Sequence, residues 1–105
     1  MKTQLLCAFA AVLITGTAQA QDGDASAGES LYAQSCAQCH GPEGKGMASF
    51  PSLEGRDAEY IKSRLTTYRD GEKVGPNSGL MIPNASKLSD SDIDNLAAYI
   101  SSSFE

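Results

Sequence analysis

The sequence predicts a small all-α domain. Capping-type residues precede stretches of apolar side chains at helical spacing, and Gly- and Pro-rich segments separate these stretches. Strand-like alternation of useful length does not occur, and no internal repeat is present in the sequence. The length of 105 residues suits a single small domain and excludes a multidomain enzyme.

Residues 1–20 have the pattern of a secretory signal peptide. Lys2 precedes the apolar run at 5–14, and a small-x-small cleavage site ends at Ala20. The apolar run has ten residues, whereas a membrane span needs roughly 20, so a retained anchor is the weaker interpretation. We therefore expect cleavage after Ala20, export to the periplasm, no membrane span, and a domain formed by residues 21–105.

The exported chain has too few large apolar side chains for an ordinary core. Leu, Ile, Val and Phe number 13 of 85 residues, about 15%, and below about 20% a chain with appreciable charge is suspected of disorder. Cys7 leaves with the signal, where too little apolar chain precedes it for lipid attachment. Two cysteines remain, and a cofactor attached through them can complete the interior.

Charge excludes one class of partner. Residues 21–105 carry 7 basic and 13 acidic side chains, a formal charge of −6, and no dense basic stripe. A nucleic-acid partner is therefore not expected.

The first helix should begin between Asp24 and Ser26. Ser26 and Glu29 have the Ser-x-x-Glu spacing of a capping box, and the helix would run to the cysteines and break at Gly41. Residues 41–55 are rich in Gly and Pro and predict a loop.

The middle helix should follow Asp57, which is placed to cap it. Gly71 is placed as its stop, and the apolar and aromatic positions at helical spacing are Tyr60, Ile61, Leu65 and Tyr68. Tyr60 and Tyr68 are expected to pack on this helix rather than to be redox-active.

Residues 73–87 are predicted to be irregular. The glycines and prolines that argue against a continuous helix are Gly75, Pro76, Gly79 and Pro83. Loops of about 15 residues without regular structure are uncommon unless they have a function. We expect this loop and the loop at 41–55 to wrap a cofactor.

The last helix is predicted at residues 90–102. Ser89 and Asp92 form a capping pattern, and Leu88 and Ile93 have the spacing of a hydrophobic staple. One face of this helix carries Ile93, Leu96, Ala97 and Ile100.

The run Cys36-Ala37-Gln38-Cys39-His40 is a C-x-x-C-H motif, the pattern of covalent attachment of a c-type haem. Two cysteines three positions apart in a helical turn point the same way, so both sulfurs can reach the vinyl groups at one porphyrin edge. His40 then projects towards the iron as an axial ligand.

Three other interpretations of this cluster are weaker. A zinc site needs about four ligands, and the exported chain offers only Cys36, Cys39 and His40 of the usual soft kinds. A thioredoxin-like pair would need a βαβ context. A simple disulfide between Cys36 and Cys39 would close too small a loop to stabilise much.

The second axial ligand is expected to be Met81. The exported chain has no other His, which leaves Met47 and Met81 as thioether candidates. Met47 lies only seven residues beyond His40, whereas Met81 lies in a later segment that can cross to the opposite haem face. An open site, or water as ligand, is the remaining alternative.

With these motifs the chain resembles a class I c-type cytochrome over essentially its whole exported length. The motifs are the run from Cys36 to Gly41, Met81-Ile82-Pro83-Asn84, and Leu88-Ser89-Asp90 leading into residues 96–100. The chain is most similar to short soluble bacterial cytochromes that resemble one half of the dihaem kind. The resemblance implies a cytochrome c fold, with about three to four helices wrapped around one covalently bound haem c and its iron.

The resemblance also implies two contacts. The first and last helices should cross where Gly28 and Tyr32 meet Leu96 and Tyr99. A proline carbonyl after the haem motif should accept a hydrogen bond from His40 Nδ1–H, and Pro51 is the candidate.

A single haem closed on both faces suits an electron carrier rather than an enzyme. We therefore expect a soluble monomer that docks transiently with a redox donor and a redox acceptor. Loop lysines that could rim the haem edge and steer a partner are Lys45, Lys73 and Lys87. The alternatives are a cytochrome subunit of a periplasmic dehydrogenase or oxidase, and a ligand-binding haem sensor with an open sixth position.

Overall fold

The computed structural model describes residues 23–105, which form five helices and one isolated β-bridge between Met47 and Phe50. The helices are α1 (Ala25–Ser35), α2 (Ala37–His40), α3 (Ala58–Arg69), α4 (Ser78–Ala85) and α5 (Asp90–Ser103). The all-α prediction is confirmed. The predicted signal peptide, including Cys7, lies outside the described residues. Over residues 23–105, every helix is too short or too polar to cross a membrane.

Helix α1 begins within the predicted interval, but the predicted cap is wrong. Asp24 is the N-cap, and its carboxylate accepts hydrogen bonds from the N–H groups of Ser26 at 2.9 Å and Ala27 at 3.4 Å. Ser26 therefore lies inside the first turn, where it cannot act as the cap of a Ser-x-x-Glu box. The helix ends at Ser35 with Cys36 as its C-cap, and α2 then carries Cys39 and His40.

Helices α3 and α5 begin at the predicted caps. The Asp57 carboxylate accepts from the N–H of Tyr60 at 2.7 Å. Ser89 and Asp92 form a reciprocal capping box with two bonds of 3.0 Å. Gly71, with a φ of 83°, follows the end of α3, so the predicted stop is also confirmed.

Helix α4 corrects the prediction that residues 73–87 are irregular. Its start is held by the Ser78 hydroxyl, which accepts from the N–H groups of Val74 and Gly75, both at 2.8 Å. Pro83 lies inside the helix, but α4 is short and its proline removes only one backbone donor. The side-chain amide of Asn84 donates to the Leu80 carbonyl at 3.0 Å and adds a hydrogen bond within the same turn. Gly79 and Pro83 therefore do not prevent a helix over Ser78–Ala85.

The core lies where α5 packs against α1 and α3. Gly28 and Tyr32 of α1 face Leu96 and Tyr99 of α5, as the resemblance implied; Tyr32 is 2% exposed and Leu96 is fully buried. Phe104 joins the rings of Tyr32 and Tyr99, with centroid distances of 5.1 and 5.4 Å. From α3, Ile61 and Leu65 complete the cluster. Helices α2, α3, α4 and α5 all contribute side chains to a cleft beside this core.

Candidate haem site

The cleft consists of two adjoining cavities of about 110 and 320 Å³. The cavities share the following lining residues: Cys36, His40, Pro51, Tyr60, Arg64, Tyr68 and Met81. On the smaller cavity Leu96 and Ile100 of α5 add an apolar wall, and on the larger one Val74 and Leu80 do so. Because so many side chains face both cavities, the two form one continuous space.

The residues predicted to hold a cofactor lie together on this cleft. Cys36, His40 and Met81 line both cavities, and Cys39 lines the larger one. Met47, the other thioether candidate, lies outside the residues that line these cavities; it is 48% exposed and pairs with Phe50 in the β-bridge. The fold therefore separates the two methionines that the sequence offered as alternatives.

The imidazole of His40 is held in one orientation. His40 is buried at 7% exposure, and its Nδ1 lies 2.9 Å from the carbonyl oxygen of Pro51. A carbonyl oxygen can only accept, so Nδ1 carries the proton and Nε2 is the nitrogen left with a free lone pair. The contact implied for Pro51 is confirmed, and it fixes the tautomer that metal ligation through Nε2 requires.

The loop at 41–55 is folded so that Pro51 returns to His40. The His40 carbonyl accepts from the N–H of Gly46 at 2.8 Å, and the Gly44 carbonyl accepts from the N–H of Leu53 at 2.7 Å. Gly46 has a φ of 80°, and a Cβ there would lie 2.5 Å from the Phe50 carbonyl oxygen. A glycine is therefore required at this crossing of the loop over itself.

The environment of the cysteines argues against a redox-active pair. Burial, with a smaller effect from the neighbouring Cys39, raises the pKa of the Cys36 thiol to about 11. Cysteines that exchange disulfides have a lowered pKa, which populates the thiolate. The fold also brings no further ligands to the cysteines for a zinc site. Residues 23–105 contain no group of three or more His, Cys, Asp or Glu side chains arranged to hold a metal ion.

Two arginines on the cleft were missed by the sequence analysis. Arg56 lines the smaller cavity and Arg64 lines both, and their guanidinium carbons lie 4.7 and 5.3 Å from the ring centroid of Tyr60. Arg64 Nε also donates to the Tyr60 hydroxyl at 3.3 Å. Part of the signal was present in the sequence, since Tyr60 and Arg64 are four positions apart and share one side of α3, whereas Arg56 precedes the Asp57 cap of that helix.

The charged side chains that line the cleft are arginines. The predicted lysines Lys45, Lys73 and Lys87 lie outside the residues that line the two cavities, and Lys45 pairs with Glu43 at 3.1 Å. Tyr60 is 36% exposed at the cleft, where its ring contacts Arg64 of the same helix. Because the two cavities have arginine but no acidic side chain in their walls, the cleft is positive within a chain of net charge −5.

The chemistry of these donors fits a covalently held haem. Two thiols open into one cleft, where they can form thioethers to a porphyrin edge. The same cleft presents an imidazole with Nε2 available and a methionine thioether, which are the axial ligands of many haem proteins. Its apolar walls and two arginines suit a flat apolar ring that carries carboxylates.

Comparison with known proteins agrees with this fit. Residues 23–100 match the family profile described as cytochrome c oxidase, cbb3-type, subunit III. The chain is 45% identical to cytochrome c-554(547) of Halothiobacillus neapolitanus over 86 residues, covering 74% of this chain and 94% of that protein. It is 48% identical to cytochrome c-554(548) of Halomonas halodenitrificans over 81 residues, covering 76% and 96%.

A solved structure shows the same fold in a longer protein. Cytochrome c4 of Acidithiobacillus ferrooxidans superposes with a TM-score of 0.69 at 30% identity, over 78% of this chain and 51% of that one. This chain thus corresponds to about half of that structure. The chain belongs to the cytochrome c family, and its Cys36, Cys39 and His40 form the motif of a covalently bound haem c.

Proposed function

We propose that this protein is a periplasmic carrier that moves one electron at a time through a haem c ligated by His40 and Met81. One observation carries the assignment: the two cysteines, His40 and Met81 line a single cleft, in which the Pro51 carbonyl leaves Nε2 of His40 available. When bound, the haem supplies the one-electron redox chemistry, and the protein supplies ligands, a low-dielectric pocket and a docking surface.

Six residues on the cleft have a defined role in the proposed function. Cys36 and Cys39 would form the thioethers to the haem, and His40 Nε2 and Met81 Sδ would bind its iron. A thioether opposite an imidazole favours ferrous iron and raises the reduction potential. Arg56 and Arg64 offset the negative charge of the haem carboxylates inside a partly apolar cleft.

The docking surface we propose is an uncharged collar, formed by residues 46–53 and 74–86. Neither segment contains Asp, Glu, Lys or Arg. The segments are joined by a hydrogen bond of 3.1 Å from the Asn77 side-chain amide to the Ser49 carbonyl. The collar exposes Met47, Val74 and Leu80, and the last two also line the cleft. Partners would therefore dock through apolar contacts beside the cleft, in short-lived encounters.

Export and a monomeric state complete the proposed function. Cleavage after Ala20 releases the domain into the periplasm, where it acts as a monomer between a redox donor and a redox acceptor. It is a carrier and not an enzyme, because ligands on both axial positions leave no iron site for a substrate.

The test is an absorption spectrum of the purified holoprotein, oxidised and reduced, followed by exposure of the reduced form to carbon monoxide. We expect the bands of a c-type haem, a ferric charge-transfer band from the Met–iron bond, and no rapid reaction with carbon monoxide at neutral pH. Rapid binding of carbon monoxide would instead identify a ligand-binding sensor with an open sixth position.

A second candidate function is that of a cytochrome subunit of a periplasmic dehydrogenase or oxidase. The name of the matching family profile, that of an oxidase subunit, favours it. Co-purification in a stable complex from native membranes and periplasm would support this function. Migration as a single chain with one haem supports the free carrier.

A further inference from the structure

The hydroxyl of Tyr32 makes a buried hydrogen bond next to the haem motif. It donates to the carbonyl oxygen of Gly41 at 2.5 Å, and Tyr32 is 2% exposed. Gly41 directly follows His40 and is the C-cap of α2. A side chain of α1 therefore contacts the backbone at the point where the chain leaves the proposed iron ligand.

Gly41 sets the direction of the loop that returns to His40. Its φ of 86° and ψ of 156° belong to a region that is essentially restricted to glycine. Its N–H donates to the Ala37 carbonyl at 2.9 Å, and its carbonyl also accepts from the N–H of Gly44 at 3.1 Å. Because both the N–H and the carbonyl of Gly41 are hydrogen-bonded, the path of the chain from α2 to Pro51 is fixed at its first residue.

The Tyr32 ring is itself held in place. Its centroid lies 5.6 Å from that of Tyr99 and 5.1 Å from that of Phe104. The Phe104 ring also covers Gly44, where a Cβ would lie 2.4 Å from Cδ2 of that ring. The aromatic cluster of Tyr32, Tyr99 and Phe104 therefore fixes the position of the Tyr32 hydroxyl. Through Phe104 it also contacts the loop that follows His40, at Gly44.

We propose that Tyr32 is a positioning residue for His40. Its hydroxyl holds the Gly41 carbonyl, which directs the loop so that the Pro51 carbonyl stays within hydrogen-bonding distance of His40 Nδ1–H. A hydrogen bond at Nδ1 makes the imidazole a better electron donor through Nε2 and so favours ferric iron. Loss of the Tyr32 hydroxyl should weaken that bond and raise the reduction potential. This inference rests on the proposed ligation by His40.

The test compares the Tyr32→Phe and Tyr99→Phe holoproteins with the wild type. Both substitutions keep the aromatic ring, and Tyr99 belongs to the same cluster. In reduced Tyr32→Phe we expect the His40 Nδ1–H to exchange with solvent about tenfold faster by NMR, the size expected for loss of one buried hydrogen bond. The potential should rise in this variant, and both quantities should stay at the wild-type value in Tyr99→Phe.

A purely structural role gives a different result. Tyr32→Phe would then melt at a lower temperature while its exchange rate and potential match the wild type, and this outcome would overturn the proposal. Equal changes in the two variants would also overturn it. If Tyr32→Phe does not mature, the wild type decides: a slowly exchanging Tyr32 hydroxyl proton in contact with Gly41 supports the proposal, and a freely exchanging one refutes it.

The two proposals can fail separately. A wild-type spectrum without histidine ligation would refute the proposed function and this inference together. Normal ligation in the wild type, with no effect of Tyr32→Phe on exchange or potential, would refute this inference alone.

Discussion

The carbonyl oxygen of Asn95 occupies the place that a side chain on Gly28 would need. A Cβ built on Gly28 would lie 2.0 Å from that oxygen and 2.9 Å from the Cβ of Tyr99. The backbones of α1 and α5 are therefore in direct contact at Gly28 and Asn95. The Asn95 side chain adds a second tie, because its Oδ1 accepts from the N–H of Asp24 at 2.8 Å.

Gly28→Ala should destabilise the protein. The added methyl group forces α1 and α5 apart, and overpacking of this kind costs about 1 to 3 kcal/mol. Thermal unfolding of the holoprotein followed by circular dichroism measures the loss.

Gly79→Ala is the matched control for that substitution. Gly79 lies within α4, and a Cβ there meets nothing within 4 Å. This change should stabilise the protein by about 0.5 to 1 kcal/mol, because alanine loses less backbone entropy in a helix. Equal melting temperatures for the two alanine variants would contradict the close approach at Gly28.

Met81→Ala should lower the reduction potential and create a site for carbon monoxide. Without the thioether, ferrous iron loses its preferential stabilisation, so the reduction potential should fall by roughly 0.1 V or more. Axial ligands control haem potentials over a range of about 0.8 V, and the expected fall is modest within that range. Redox titration and carbon monoxide spectra of the reduced protein measure the two effects. Met47→Ala is the control and should leave both unchanged; if Met47→Ala produces them instead, the assigned ligand is wrong.

Replacing Cys36 and Cys39 by alanine should leave a largely unfolded chain. The side chains of Ile61, Leu65 and Leu96 line the cleft, and without the attached cofactor they face a cavity instead of a packed surface. Binding energy of a covalently attached group then no longer contributes to folding. Circular dichroism and urea titration should show little helix and no cooperative transition. A helical apoprotein that melts cooperatively would show that the core is sufficient without the haem.

Stability should fall in alkali through Tyr32. Burial raises the pKa of its hydroxyl from 10.0 to about 12, so the folded protein keeps this proton to higher pH than the unfolded chain does. The protonated Tyr32 hydroxyl therefore contributes to the free energy of unfolding. This contribution is fully present below pH 10 and is lost as the pH rises from there towards 12, and its size is on the order of 2 kcal/mol. Urea unfolding at a series of pH values measures it.

The Tyr32→Phe variant is the control for that pH dependence. It lacks the titrating hydroxyl, so the decrease in unfolding free energy between pH 10 and 12 should be smaller than in the wild type. The same decrease in both proteins would mean that another group causes the alkaline loss.

Local signals in the sequence predicted most helix boundaries. Asp57 and Ser89 were recognised as caps because a cap depends on the side chain and on backbone N–H groups two or three residues away. The same rule misassigned Ser26, since Asp24 competes for the same N–H groups and begins the helix earlier. Helix α4 was missed because Gly79 and Pro83 oppose a helix locally, while Ser78 and Asn84 supply hydrogen bonds that only the folded chain reveals.

The cofactor motif was visible in the sequence because its spacing is fixed by the porphyrin. Cys36, Cys39 and His40 are adjacent in the chain, so no tertiary information was needed to group them. Arg64 was overlooked because its role depends on which face of α3 meets the cleft, and Arg56 because the segment before α3 reaches the cleft only in the folded chain. The Tyr32 hydroxyl was also missed, since its acceptor is a backbone carbonyl, to which any residue type could contribute.

The packing of α1 against α5 has a consequence for the order of assembly. Leu96 and Ile100, which belong to α5, form part of the cleft wall, and the bond between Asp24 and Asn95 joins residues 71 positions apart. A chain whose last helix has not docked therefore lacks Leu96 and Ile100 from the wall that they form beside Cys36 and His40. The pocket is complete only once the C-terminal residues have packed, although all the proposed ligands lie upstream of them.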